Sequence, residues 1–340
     1  DEDVNLDRDE EGRAMSLGPK VVAGNGNVYV GWFDARNGAY DIYVSSSTDR
    51  GATFGEPVRV DDDAAGSAYS AYPQLVLDGG VLHVVWEDSR GDGAGNEHSD
   101  IHYAQSTNQG QGFSGHLRLD GGDGAGQSDS FSPKIAIEGQ VIYVVWHDTR
   151  NSDDGSKRDI YFNYSRNGGT IWQNSADRAE SNDPGWYDAQ YPTAAIAEGT
   201  AYIAWADARF GGYDIYMRAH TESGWRTEEF RIDTGDSQGV SNSIYPLSIA
   251  GDPGVVVLWE DRRDDDGTGY NDLYYNFLAP GATAWGEEDL RVDSVEAGSK
   301  FARDVSIELY NQRLLAAWVD GRRGNADVYF HGLKVGTEAE

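Results

Sequence analysis

One motif, written six times, decides most of what this chain can become. Trp-x-Asp-x-Arg occupies 32–36, 86–90, 146–150, 205–209, 259–263 and 318–322, with the tryptophans 54, 60, 59, 54 and 59 residues apart. Thirteen residues before each Trp stands Pro19, Pro73, Pro133, Pro192, Pro246 or, in the last copy, Val305. Seven residues earlier again is always glycine: Gly12, Gly66, Gly126, Gly185, Gly239 and Gly298. Three fixed offsets held over six copies mark an array of like supersecondary units rather than a mixed fold.

Each copy reads as four short strands. The first follows the proline, the second runs into the Trp, and the third opens on Asp41, Asp100, Asp159, Asp214, Asp272 or Asp327 before an aliphatic residue. The fourth carries Arg-apolar-acid, as in Arg59-Val60-Asp61, Arg118-Leu119-Asp120, Arg178-Ala179-Glu180, Arg231-Ile232-Asp233 and Arg291-Val292-Asp293. Apolar alternation broken by Gly, Asn and Asp turns suits antiparallel strands, and four-stranded units of this length repeat radially as propeller blades. The sixth copy ends near Val335 without a fourth strand, while Val4-Asn5-Leu6-Asp7 aligns with the Arg-apolar-acid segments. The expectation is an all-β, single six-bladed β-propeller over 1–340, its blades starting near 19, 73, 133, 192, 246 and 305. Residues 4–7 are expected to complete blade six and so hide the open sheet edges.

Charge narrows the partners. Asp and Glu total 58 against 27 Lys and Arg, a formal net of -31. Such a surface repels nucleic acid and anionic membranes and keeps molecules apart, so a monomer is expected. No apolar run is long enough to span a bilayer, which speaks against membrane insertion. Cysteine is absent, so no disulfide framework exists. A secreted, a salt-adapted and a Ca²⁺-binding chain all fit this acidity; an extracellular, periplasmic or cell-surface setting is the reading taken.

Between third and fourth strands, blade one reads Ser47-Thr48-Asp49-Arg50-Gly51-Ala52-Thr53-Phe54, a full match to the Asp-box pattern Ser-x-Asp-x-Gly-x-Thr-aromatic. Residues 106–113 and 165–172 are degraded copies, and Gly281, Thr283 and Trp285 a remnant. With six blades, the chain resembles the sialidase superfamily over its whole length. That resemblance implies an arginine triad for a substrate carboxylate, a Tyr/Glu nucleophile pair and an Asp acid. The nearest local likeness is Arg303-Asp304-Val305 with Asp320-Gly321-Arg322 following. The other members of the set have no counterpart, so the sialidase reaction is not expected.

Internal repetition separates scaffold from site. A residue present in every blade serves what every blade needs, whereas a ligand site is asymmetric. The repeated Trp, Asp and Arg are therefore structural, with the Arg fork expected to bridge the carboxylates at neighbouring strand ends. Positions that vary lie on the face of the two–three and inter-blade loops. Immediately before the proline position are Gly18, Tyr72, Ser132, Tyr191, Tyr245 and Asp304, and three residues earlier Asp129, Asp188 and Asn242 stand out. Glu87, His147 and Glu260 follow the Trp in blades two, three and five, and Arg303 is a cation found at no equivalent place. Aromatics and carboxylates around a concave opening suit a glycan or other small polar ligand. The leading expectation is a carbohydrate-binding propeller without catalysis and without a required cofactor. An exo-acting glycoside hydrolase with a divergent site and a scaffold domain of a larger surface protein stay open as alternatives. In blade five, Asp264, Asp266 and Asp272 suggest an oxygen-ligand Ca²⁺ loop, although a solvated acidic loop is the commoner meaning of such a run.

Overall fold

The computed structural model describes residues 3–9, 12–91, 98–265, 267–282, 284–294, 298 and 301–335. They fall into two compact units, 1–178 and 179–340. No helix occurs among the described residues, so none is long and apolar enough to cross a membrane.

The first unit holds three antiparallel sheets. Blade one is Ser16–Gly24, Asn27–Asp34, Asp41–Ser47 and Val58–Arg59; blade two is Ser70–Asp78, Val81–Asp88, Asp100–Ser106 and Ser114–Arg118. Blade three is Ser130–Glu138, Val141–Asp148, Asp159–Ser165 and Asp177–Arg178. The second unit repeats the plan. Blade four is Ala189–Ala197, Thr200–Asp207 and Asp214–Thr221, whose outer edge pairs with both Gly224–Trp225 and Phe230–Arg231. Blade five is Ser243–Gly251, Gly254–Asp261, Asp272–Leu278 and Leu290–Arg291, and blade six is Ala302–Tyr310, Arg313–Asp320 and Asp327–Lys334.

Blade six thus holds three strands within the second unit, and residues 4–7 belong to the first. Those residues make no ladder. Instead Arg8 is drawn to the carbonyl of Phe54 and to Glu56 of blade one. The alignment nonetheless holds at one atom. Asp7 Oδ2 accepts the Ser16 hydroxyl at 3.1 Å, as Asp120 Oδ2 accepts that of Ser130 at 2.8 Å.

Hairpin chemistry explains the first two strands of blades one, two, four and six. Asn25-Gly26, Gly79-Gly80, Glu198-Gly199 and Asn311-Gln312 all have positive φ at both central positions. That is the turn whose twist matches the flanking strands. The core lies between neighbouring blades. Tyr29, Phe33, Ile42 and Val44 of blade one pack on Leu75, Leu82, Val84 and Trp86 of blade two. Val256, Leu258 and Tyr275 of blade five pack likewise on Leu314, Ala316 and Trp318 of blade six.

Candidate functional site

The six-fold motif closes on itself. In every blade the indole N–H of the Trp donates to the Asp two residues on, at 2.7–3.2 Å, and the Arg guanidinium pairs with the same carboxylate. In five blades that guanidinium also lies over the third-strand Tyr, 3.8–4.2 Å from the ring centre. Where the fork reaches a second carboxylate it is Asp62, Asp123, Glu229 or Asp289, not the one that opens the third strand. A different arginine serves that group: Arg59, Arg118, Arg178, Arg231 and Arg291 bind Asp41, Asp100, Asp159, Asp214 and Asp272. The sequence assigned one arginine where the fold uses two. The invariant glycine completes the cluster. Gly66, Gly126, Gly239 and Gly298 donate their N–H groups to Asp41, Asp100, Asp214 and Asp272.

The position before the proline is a backbone kink. Gly18, Tyr72, Ser132, Tyr191, Tyr245 and Asp304 all sit at φ between +53° and +60°, each beside an irregularity in the strand pairing. A left-handed residue is unfavourable for any side chain but Gly, so something must hold it. The residue after the Trp does so from the preceding blade. Glu87 Oε1 accepts the Ser132 N–H at 2.7 Å, and Glu260 Oε1 accepts that of Asp304 at 3.1 Å. Between blades one and two the same place is filled by rings, Phe33 against Tyr72 at 5.3 Å. Glu87 and Glu260 are accordingly buried, which pushes Glu87 up to about 7 and Glu260 upward from its ordinary value.

The remaining expected residues divide between the two units. In the first, Tyr72 is half exposed, His147 is buried edge-on to Phe131 at 5.0 Å, and Asp129 accepts the Ser99 N–H at 3.2 Å beside His98. In the second, Asp188 accepts the Tyr213 hydroxyl at 2.6 Å, and Asn242 Oδ1 accepts the Tyr213 N–H at 3.0 Å. Asp188 and Asn242 thus fix the start of blade four's third strand. Tyr191 packs against Tyr245 with ring centres 4.3 Å apart and planes tilted by 51°.

Four of the expected residues do converge. Tyr245, Glu260, Arg303 and Asp304 line a cavity of about 430 Å³ between blades five and six, together with Arg262 and Asn271. One polar chain runs along its wall. Arg262 Nε donates to Asn271 Oδ1 at 2.7 Å, Asn271 Nδ2 donates to Glu260 Oε2 at 2.6 Å, and Glu260 takes the Asp304 N–H. Arg303 stands at the mouth, its side chain 57% exposed, 3.5 Å from Asp304 and over the Phe301 ring. Arg262 and Asn271 were missed by the sequence reading, yet the same test finds Arg262. The second variable residue of the motif is Ala35, Ser89, Thr149, Ala208, Arg262 or Gly321, and Arg occurs there once.

No protein-family model matches the chain, and no curated protein matches its sequence. Solved structures do match. A protein of unknown function from Dyadobacter fermentans has a TM-score of 0.57 at 14% identity, over 95% of this chain and 96% of that one. The α-L-arabinanase of Penicillium chrysogenum, complexed with arabinobiose, has 0.55 at 16% identity, over 94% of each chain. A sialidase of Streptococcus pneumoniae has 0.55 at 12% identity, over 89% of this chain and 65% of its own. The fold is that of the sialidase-like six-bladed propellers.

In this sialidase-like propeller, the acidic residues of blade five are engaged by protein donors. Asp264 accepts the Tyr274 hydroxyl at 2.5 Å, and Asp272 takes Arg291 and the Gly298 amide. Asp266 lies outside the described residues. Asp265 gathers three backbone N–H groups, of Gly267, Thr268 and Gly269, so it orders the turn as an acceptor. The acid cluster Asp41, Asp61 and Asp63 in blade one is filled in the same sense, by Arg59. The chemistry left to the cavity is that of a ring wall, two guanidinium groups, an amide and two carboxyl groups.

Proposed function

We propose that the cavity at Tyr245 and Arg303 binds a carbohydrate and that the protein acts by binding rather than by catalysis. The observation that carries this reading is the convergence on one cavity, beside a tyrosine, of Arg262, Asn271, Arg303 and Asp304, polar residues that no other blade repeats at their places. A sugar offers an apolar C–H face to a ring and hydroxyls to planar polar groups, and this wall supplies both. Both oxygens of Glu260 are already engaged, by Asn271 and by the Asp304 amide, which suits a residue that shapes a site. Arabinobiose in the Penicillium arabinanase and the sialidase activity of the Streptococcus protein are properties of those proteins; they support a glycan as the class to test first. An extracellular, periplasmic or surface setting, where such polymers are met, accords with the net charge of -31.

One observation favours hydrolysis as a second reading. Glu260, a carboxyl raised by burial, lines the same cavity as the exposed Asp304, and two carboxyl groups in one cavity are what glycosidases use. A glycan array probed with the full chain, with a reducing-sugar assay on every glycan bound, decides between them. Retention lost in Tyr245→Ala and Arg303→Ala at unchanged melting temperature, with no sugar released, is the expected result. Release that stops in Asp304→Ala would establish the hydrolase, and a wild-type protein that retains no glycan would remove both readings.

A further inference from the structure

Trp285 stands in blade five where Trp172 stands in blade three. Both are carried by the same turn. Asn163 Nδ2 donates to the Gln173 carbonyl at 3.1 Å and Asn276 Nδ2 to the Gly286 carbonyl at 3.0 Å. Each asparagine oxygen takes the next amide, Tyr164 or Phe277, at 2.7 Å. The indoles meet different surroundings. Trp172 is 7% exposed, packs edge-on against Tyr103 at 4.9 Å and donates its N–H to the Gly169 carbonyl at 3.0 Å. In blade four the place of Tyr103 falls to Met217. Trp285 is only half-buried, its nearest ring contact being Tyr202 at 6.3 Å. Two cavities, of about 240 and 360 Å³, open beside it and share Trp285, Phe230 and Thr227 as walls.

Blade three thus shows how the turn closes when the Trp serves the core. Blade five keeps the turn, and its indole, though packed against Ala195, Val255 and Leu278, stays half-buried without the close ring contact. Burying an indole is worth several times a hydrogen bond, so a half-bare ring over open volume is a departure from the repeat that scaffold needs do not explain. We propose that the Trp285 cleft between blades four and five binds a neutral sugar ring, a second site independent of the cavity at Arg303.

The chemistry of the walls selects the ligand. Trp285 and Phe230 offer the faces on which the C–H side of a pyranose or furanose packs. Arg226, Glu228 and Thr234 are exposed at the margin, where planar charged groups and a hydroxyl take sugar hydroxyls. Arg226 is positioned beforehand by Thr200 Oγ1 at 3.3 Å, and Thr227 by the Ala219 amide at 3.0 Å. Arg226 lines one cavity and Glu228 the other, so the margin carries one exposed charge of each sign and favours neither a cation nor an anion overall. A neutral, polyhydroxylated ring fits both the faces and the margin.

The test is ¹⁹F NMR of the full chain labelled with 5-fluorotryptophan, whose ten tryptophans give resolvable signals. Cellobiose, xylobiose and arabinobiose are the probes, and Trp285→Phe identifies the Trp285 signal by its loss. The expected result is a saturable shift of that signal with at least one of the sugars. Arg226→Ala, an exposed change that leaves the core alone, is expected to weaken it about tenfold. Tyr245→Ala should leave the titration unchanged, which separates this site from the cavity at Arg303. A Trp285 signal unmoved by all three sugars, or one that answers only to free indole as an apolar probe, overturns the proposal. So does a titration indifferent to Arg226→Ala.

Discussion

Asp207 carries the repeated motif in its plainest form. It is fully buried and accepts from Trp205 Nε1 at 3.2 Å, from the Arg209 amide at 2.9 Å, and from the Arg209 guanidinium at 3.0 and 2.6 Å. Asn has the same volume but no charge to set against the guanidinium. Asp207→Asn is therefore expected to lower the unfolding free energy by about 2–4 kcal/mol in urea titrations, with retained glycan binding. Loss of binding at unchanged stability would make the motif a site after all. Gly239→Ala should be as severe for a steric reason. The new Cβ would stand 2.3 Å from the Phe210 carbonyl oxygen, at a φ of +70°. A loss of about 2 kcal/mol or more in the same titration is the expected outcome. The fixed offset of this glycine was legible in the sequence. Its reason was not, because the amide serves Asp214 across a loop, and no linear pattern names that partner.

At the scale of the strand, the kink before each proline position is the element that made the site hard to read. Variation there was visible as Tyr72, Ser132, Tyr191, Tyr245 and Asp304, and three residues upstream as Asp129, Asp188 and Asn242. Sequence offsets place such residues on one face, but a left-handed residue turns the chain within the strand and separates the two sets. Tyr245 and Asp304 reach the cavity, while Asp188 and Asn242 turn to Tyr213. The blade strands themselves were legible because period-two alternation and turn residues are local. Residues 4–7 make no ladder, yet Asp7 meets Ser16 as Asp120 meets Ser130, which is the contact their alignment with the Arg-apolar-acid segments implies. The kink has its own test. Ser132 sits at φ +54°, and its N–H is held by Glu87. Ser132→Gly removes the left-handed penalty and keeps that bond, so it should stabilise by up to about 1 kcal/mol in chemical denaturation. Glu87→Ala should cost about 1–3 kcal/mol by leaving the amide without its acceptor. If Ser132→Gly destabilised instead, the kink would owe its conformation to the serine side chain.

For the molecule as a whole, acid is the variable that reaches every blade. Burial pushes Glu87 and Asp233 up to about 7, and it raises Glu260, Asp214 and Asp293 from their ordinary values. A group whose folded value is raised binds its proton more tightly folded than unfolded. Its contribution is complete below the unfolded value of about 4 and is lost as pH rises through the folded one. Two histidines oppose this. Burial lowers His83 and His102 to about 4, so stability tied to them falls as pH drops below about 6.5. The raised carboxyls outnumber them, and protonation also relieves the self-repulsion of a net charge of -31. A lower limit is set by Asp34 and Asp88. Burial works against their ionisation, yet Arg36 and Arg90 outweigh it and hold both at about 2, so their contribution goes as pH falls from about 4. The melting temperature is therefore expected to peak near about pH 5 and to fall towards about pH 8, at constant ionic strength. Glu87→Gln, which keeps an acceptor for the Ser132 amide and has no proton to lose, should flatten that fall. A melting temperature that climbs steadily from about pH 5 to about pH 8 would mean that these buried carboxyls are ionised in the folded protein, with their arginines rather than their burial in control.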